Sequence, residues 1–449
     1  MASADLQETE TETPIPGGRT FLRRVRIRGY KSIAFCDVTL EPLTVLVGRN
    51  GCGKSNFLDA LAFLRDAVKY DVREAVQRHG GWSGVACRSQ PQNCVDIEVE
   101  ADLKVAVESN RNGIGSSELS STPPEVLSGT YRIRIATDDD SVPRVQLETY
   151  SVTDSDSKIH EMIHRDYSRG KYVVDAPGNL WAPIHKSASH DGSALLKLAS
   201  RPEKCAIGVY SALLFANFTT PLETMVVLNP EPSLIRQQQL PTGGGYLLHH
   251  AANLPAIVRQ FARSSPEWYE RAKRYVKYIV PDVSDLDQIS YGEYETLRFW
   301  MNYAVNGKKV EFDARSMSDG TLRAVACIIG AFQNIPPYGR PSLVGIEEPE
   351  TSLHPGAMNG LVDALDEATL ATQIIITTHS AELLDNPTIQ PHNVRAVEMV
   401  DGRTIIGPLD QASFEIIQRN LDTLGGLERQ NQLEVDLDDR DRQQALANG

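Results

Sequence analysis

Eight residues near the start of the chain, Gly48-Arg49-Asn50-Gly51-Cys52-Gly53-Lys54-Ser55, carry the spacing G-x-x-x-x-G-K-[ST] at every fixed position. Such a loop cradles the phosphates of a nucleoside triphosphate. The backbone of Asn50, Gly51, Cys52 and Gly53 forms the cradle, because glycines take backbone angles that a Cβ forbids. Lys54 is placed to reach the β/γ-phosphates and the Ser55 hydroxyl to hold Mg²⁺. Far downstream, the apolar run Pro341–Ile346 ends in Glu347-Glu348-Pro349-Glu350. A strand that delivers two carboxylates is what a phosphate loop needs. Glu347 is assigned to the metal and Glu348 to the attacking water, which it would orient or deprotonate. Alone, those acids would read as a surface turn; after a buried-type strand, in a chain with a phosphate loop, the chemical reading prevails.

The flanking sequence supplies elements to hold these residues. Leu43–Val47 is a short apolar, β-rich run, and after the loop Phe57, Leu61, Leu64 and Val68 recur at helical spacing. The loop therefore joins a strand to a helix N-terminus, where unpaired N–H groups and the helix dipole favour an anion. Phe21–Arg28 and Phe35–Leu40 read as strands. Arg24, Arg26 and Arg28 share one face of the first, which is read as solvated rather than as a stripe contacting nucleic acid. Short β segments follow: Val95–Val107, Tyr131–Ala136, Val145–Val152, Lys158–His164 and Lys171–Val174. The pattern then turns helical, with Ala194–Leu198, Ile207–Phe218, Leu254–Ala262 and Trp268–Ile279. In the last, Trp268, Ala272, Tyr275, Val276 and Ile279 form an apolar stripe suited to core packing. Strands are read again at Thr296–Val305, Lys309–Phe312 and Gln373–Ile376. A hairpin pairs Val394–Val400 with Arg403–Ile406, and helices are read at Ala324–Phe332 and Leu361–Leu365.

Composition sets outer limits. The chain has 449 residues and a formal charge of −14, of which each terminal segment holds about −3. Any nucleic-acid contact would need a local basic patch. There is no run of 18 apolar residues and the N-terminus is acidic and polar, so a cytoplasmic protein without a membrane contact is expected. Cys36, Cys52, Cys87, Cys94, Cys205 and Cys327 show no Cys-x-x-Cys pair and read as reduced.

The ordered set of motifs resembles the ABC-type ATPase heads of the RecF, SMC and OLD families. The stretches Glu347–Pro355 and Thr377-Thr378-His379-Ser380 look most like RecF-related and OLD-type AAA ATPases. The resemblance spans about residues 21–425 and implies an α/β P-loop NTPase with an inserted antiparallel β lobe and a helical lobe. It implies that Ser318-Asp319-Gly320-Thr321 is the signature motif, with Ser318 and Gly320 contacting ATP held by the opposite protomer. His379 matches the switch histidine that hydrogen-bonds the γ-phosphate, and Glu350–Pro355 the segment crossing the dimer interface. The glutamine that usually links nucleotide to the inserted lobe has no clear match; Gln237, Gln238 and Gln239 are the candidates. SMC-type proteins carry a long coiled coil, absent here, and OLD nucleases carry a Toprim domain for which too little chain follows His379. Glu434, Asp436, Asp438 and Asp439 read as an acidic tail.

The expected layout is a disordered tail (1–20), an N-terminal ATPase half (21–90), a β-rich lobe (91–180), a helical lobe (181–295), a C-terminal ATPase half (296–425) and an acidic tail (426–449). The expected function is an ATP- and Mg²⁺-dependent switch, an ATPase that dimerises on ATP and acts in DNA repair or a related DNA process. The principal alternative is a sensor ATPase in anti-phage defence that controls a separate nuclease or toxin subunit. A non-catalytic module and a transporter subunit fit less well.

Overall fold

The computed structural model describes residues 21–89, 93–105, 125–137, 142–153, 159–166, 171–175, 218–241, 245–305 and 308–448. Strands β1 (Phe21–Tyr30) and β2 (Ile33–Thr39) pair antiparallel, and β3 (Leu43–Val47) leads into the phosphate loop. After the helices Lys54–Lys69 and Val72–Arg78 come β4 (Cys94–Val105), β5 (Glu125–Thr137), β6 (Pro143–Thr153), β7 (Ile159–Asp166) and β8 (Lys171–Asp175). These five do not form a sheet of their own. They extend β1 and β2 into one antiparallel sheet in the order β2-β1-β4-β5-β6-β7-β8. The segments Ala194–Leu198 and residues 207–217, read as helical, lie outside the described residues.

The phosphate loop belongs to a second, six-stranded sheet. Here β9 (Val226–Leu228), β13 (Leu343–Glu347), β14 (Gln373–Thr378), β15 (Val394–Val400) and β16 (Arg403–Gly407) join β3 in the order β16-β15-β3-β14-β13-β9. All neighbours are parallel except the hairpin β15–β16. Every residue of β3 and β14 is buried, as the continuous apolar runs of a doubly covered parallel sheet require. The helix Lys54–Lys69 fills the space between the two sheets. Its Phe57, Leu58, Leu61 and Leu64 share a core with Val25, Ile27 and Ile97 on one side and Leu46 and Ile375 on the other.

The opposite face of the parallel sheet is covered by the helices Leu254–Ser264, Pro266–Ile279, Asp319–Phe332 and Pro355–Thr369. The Trp268 stripe is core, as its spacing requires: the rings of Trp268 and Tyr275 lie 6.1 and 5.9 Å from that of Phe332. The stretch expected to be helical up to residue 295 also supplies β9 and β10 (Val283–Tyr291). The latter pairs with β11 (Tyr294–Val305) and β12 (Lys308–Asp313) in a three-stranded sheet. The segment read as an acidic tail is folded. Residues 424–429 and 437–448 are helices, and the second is docked, with the Gln443 amide bonding both the N–H and the C=O of Ile406.

The β1 arginines are spent within the protein. Arg24 pairs with Asp37, Arg26 with Asp37, Glu98 and Glu100, and Arg28 donates to the Leu446 carbonyl. Cross-strand pairing with carboxylates, rather than free solvation, accounts for that face.

Candidate nucleotide site

Strand β3 ends in the loop at Val47, and the loop ends where Gly53 caps the helix Lys54–Lys69 with φ +105°. A Cβ on Gly53 would stand 2.0 Å from Thr404 Oγ1, so the position excludes any other residue on two grounds, torsion and space. The loop is braced from the hairpin: Thr404 Oγ1 donates to the Cys52 carbonyl at 2.8 Å and pairs with Ser32 Oγ at 2.6 Å. Arg49, Asn50, Gly51 and Ser55 face solvent, while Lys54 and Cys52 are buried. The Lys54 ammonium folds back onto the loop, donating to the carbonyls of Gly48 at 2.5 Å and Arg49 at 3.1 Å.

The parallel sheet brings the second motif alongside. Glu347 closes β13, next to β14, which in turn pairs with β3. Ser55 Oγ donates to Glu347 Oε2 at 2.7 Å, across 292 residues of sequence. Glu348 sits just past the strand with φ +42°, a strained angle for a glutamate, and its N–H donates to the Thr377 carbonyl at 3.0 Å. His379, half exposed at the end of β14, places Nδ1 3.5 Å from Glu348 Oε1. The structure thus gathers Lys54, Ser55, Glu347, Glu348 and His379 at the C-terminal edge of the parallel sheet. Ligands of open α/β sheets bind there.

Ser318 and Gly320 are not part of that group. Ser318 caps the helix Asp319–Phe332, accepting from Thr321 N at 3.2 Å, and is exposed. Gly320 is buried, and a Cβ there would stand 2.1 Å from the Ser352 carbonyl oxygen, so this glycine is needed for packing against the Glu350–Pro355 segment. Among the described residues neither bonds to the phosphate loop. Gln239 pairs backbone to backbone with Glu295, and the amides of Gln237 and Gln239 donate to the carbonyls of Ser233 and Leu234.

Arg323 was missed in the sequence, and Glu350, read there only as part of the glutamate turn and the Glu350–Pro355 segment, has a further role. Arg323, 8% exposed, donates to the carbonyls of Glu347, Glu348 and Pro230 and to Asn229 Oδ1, so it fixes the turn that carries both glutamates. Glu350 is buried with Oε1 accepting from Thr378 Oγ1 at 2.5 Å. Burial pushes its carboxyl above the usual range, with the Thr378 hydroxyl opposing. It ties the glutamate turn to the residue preceding His379.

The donor set fits Mg²⁺. Among the described residues no three His, Cys, Asp or Glu side chains cluster as a metal cage. Mg²⁺ is commonly held by one or two protein oxygens with phosphates and water completing the shell, and the paired Ser55 and Glu347 oxygens offer that.

Comparison with known proteins agrees with the topology. Residues 21–165 match the family described as "AAA ATPase domain" and residues 246–385 the family described as "AAA domain, putative AbiEii toxin, Type IV TA system". These two stretches are similar to AAA ATPase domains, and they lie on an α/β fold whose phosphate loop joins a parallel strand to a helix. No curated protein matches it. Among solved structures, an Smc head bound to the C-winged helix domain of ScpA is 13% identical, with 88% of this chain and 99% of that one covered at a TM-score of 0.45. The SMC head domain from Thermotoga maritima is 12% identical, covering 87% and 99% at 0.39. An Smc head with an extended coiled coil from Pyrococcus furiosus, bound to the C-terminal domain of ScpA, is 13% identical, covering 90% and 100% at 0.43. Among the described residues no helix is long and apolar enough to cross a membrane.

Proposed function

We propose that this chain is a Mg²⁺-dependent ATPase switch that binds ATP at Gly48–Ser55 and closes into a dimer around it. The supporting observation is the 2.7 Å contact between Ser55 and Glu347 beside the buried Lys54. Lys54 would exchange its bonds to the loop carbonyls for the β/γ-phosphates. Ser55 and Glu347 would hold Mg²⁺, which supplies charge neutralisation at the phosphate oxygens. Glu348 would orient and deprotonate the attacking water, and His379 would hydrogen-bond the terminal phosphate. Ser318, exposed at a helix N-terminus and unconnected to its own chain's loop, is suited to an anion held by another protomer. Binding of ATP and oligomeric state, measured together by calorimetry and light scattering, test this. Lys54→Ala should lose tight binding, and Ser318→Ala should keep binding but lose ATP-driven dimers. Unchanged binding in the first variant overturns the phosphate-loop assignment; unchanged dimers in the second overturn the dimer site.

The output remains a choice between a DNA-linked process and defence. The match of residues 246–385 to a family described by a toxin–antitoxin system favours the second reading, in which the ATPase controls a separate toxin or nuclease. Arg24 and Arg26 of β1, already paired with carboxylates, leave that face little to offer a DNA backbone. ATPase rates with and without duplex or single-stranded DNA separate the two, since a salt-sensitive stimulation would restore the DNA reading.

A further inference from the structure

Asn56, Ser32 and Thr404 come from three separate parts of the chain and join in one line of hydrogen bonds that ends on the phosphate loop. Asn56 stands in the first turn of the helix after the loop, Ser32 in the turn between β1 and β2, and Thr404 in β16. Asn56 Nδ2 donates to Ser32 Oγ at 2.7 Å, Ser32 Oγ meets Thr404 Oγ1 at 2.6 Å, and Thr404 Oγ1 donates to the Cys52 carbonyl at 2.8 Å. A hydroxyl has a single proton to give. That of Thr404 goes to the carbonyl, so Ser32 donates to Thr404, and the whole line points one way, from helix to loop. Bonds aligned in this manner polarise one another. Thr404 is 1% exposed, and its N–H donates to the Ser32 carbonyl at 2.9 Å, so its backbone is fixed and water does not compete for its hydroxyl.

The carbonyl at the end of the line belongs to the peptide bond between Cys52 and Gly53. Among the described residues only Pro336–Pro337 is cis, so this peptide is trans. In a trans peptide the C=O and N–H point to opposite sides of the chain. Holding the Cys52 oxygen on Thr404 therefore turns the Gly53 N–H away from the hairpin. Among the described residues that N–H has no acceptor. It stands at the start of a helix, where a phosphate is favoured.

We infer that Thr404 is a positioning residue of the nucleotide site: its hydroxyl, set by Ser32 and Asn56, fixes the Cys52–Gly53 peptide so that the Gly53 N–H faces the phosphates before they arrive. The inference rests on the reading that Gly48–Ser55 takes a nucleotide. Thr404 itself acts through the loop and not on the ligand. Without its bond the peptide is free to rotate, and binding must then order it at a cost in affinity. The effect follows the phosphate that enters the loop and is blind to base and sugar.

Thr404→Val keeps the branched shape that suits a strand and removes the hydroxyl. Measured by calorimetry with Mg²⁺ present, it should bind ATP, ADP and inorganic pyrophosphate each roughly 10-fold more weakly than the parent, by a common factor. Thr404→Ser restores the hydroxyl and should return to within about 2-fold of the parent. Ser32→Ala keeps the Thr404 hydroxyl but removes its support, and should fall between the two. Thermal midpoints check that each variant is folded. Unchanged affinity in Thr404→Val, or a Thr404→Ser variant equally weak, overturns the inference. So does a loss seen with ATP and ADP but not with pyrophosphate, which would place the effect on base or sugar. If Thr404→Val does not fold, parent affinity in Ser32→Ala overturns it instead. The underlying reading fails separately, in a parent chain that binds neither ATP nor pyrophosphate or in a Lys54→Ala variant that binds them equally well.

Discussion

The Arg323 guanidinium reaches the carbonyl oxygens of Glu347 and Glu348, at 2.7 and 3.2 Å, and so holds the peptide turn from which both glutamates project. Its charge is therefore spent on backbone, not on phosphate. Arg323→Ala should remove the side-chain donor from the Glu347 and Pro230 carbonyls and leave that of Glu348 only the Thr351 N–H. A loss of roughly 3 kcal/mol of stability is expected, read from urea unfolding. Arg323→Lys should recover only part, since an ammonium cannot reproduce the planar fork.

Glu348→Gln tests the assignment of the water-activating group. General-base catalysis contributes about 10²–10⁴-fold. Phosphate release should fall within that range while ATP stays bound and the dimer accumulates. Turnover at the parent rate would remove Glu348 from the chemistry.

Gly53→Ala should cost about 1–3 kcal/mol and weaken nucleotide binding, because a φ of +105° and the Thr404 hydroxyl both oppose a methyl group. Gly320→Ala should cost at least as much, since the obstacle at Ser352 is backbone and cannot rotate away. Its ATP affinity, however, should be unchanged in the monomer. Thermal unfolding and binding assays on the two variants read out this contrast.

The underside of the phosphate-loop helix carries a titratable cluster. His79 Nδ1 lies 2.9 Å from Asp59 and Nε2 3.3 Å from Asp66. Burial pushes the imidazole pKa down, but the bonds to Asp59 and Asp66 win and raise it above 6.5. A raised folded pKa means stability that is full below pH 6.5 and lost as pH rises through the folded value. Asp59, half-buried yet bonded to His79, Lys31 and Tyr30, is driven below 3.8, so its contribution holds above that pH and is lost as pH falls. Urea unfolding of the parent and His79→Gln should therefore differ most between about pH 4 and pH 6.5 and converge toward pH 9. A gap independent of pH would refute the charged state of His79.

How much of this was legible follows from how local each signal is. The residues Gly48–Ser55, Glu347, Glu348 and His379 announce themselves because each sits at the end of an apolar strand, and strand ends are what a parallel sheet aligns. Arg323 does not, being one arginine inside a helix that is otherwise apolar; only its four distant acceptors, from Asn229 to Glu348, give it meaning. The helix Leu437–Asn448 was hidden because it has no apolar stripe to read. It docks by polar bonds, Gln443 to Ile406 and Arg440 to Glu398, which no periodicity reports. Strand β9 has only three residues, below what alternation can resolve.

Strand β3 has its sheet neighbours, β14 and β15, at the other end of the chain, and even Leu22 waits for the amide of Gln373, 351 residues later. On a ribosome adding about 5–20 residues per second, the phosphate loop emerges roughly 20–70 s before the strands that flank β3 can pair with it. The N-terminal half must pass that interval with an apolar strand unpaired. Cutting the gene between the halves should thus yield two insoluble fragments, and soluble protein only when both are translated together.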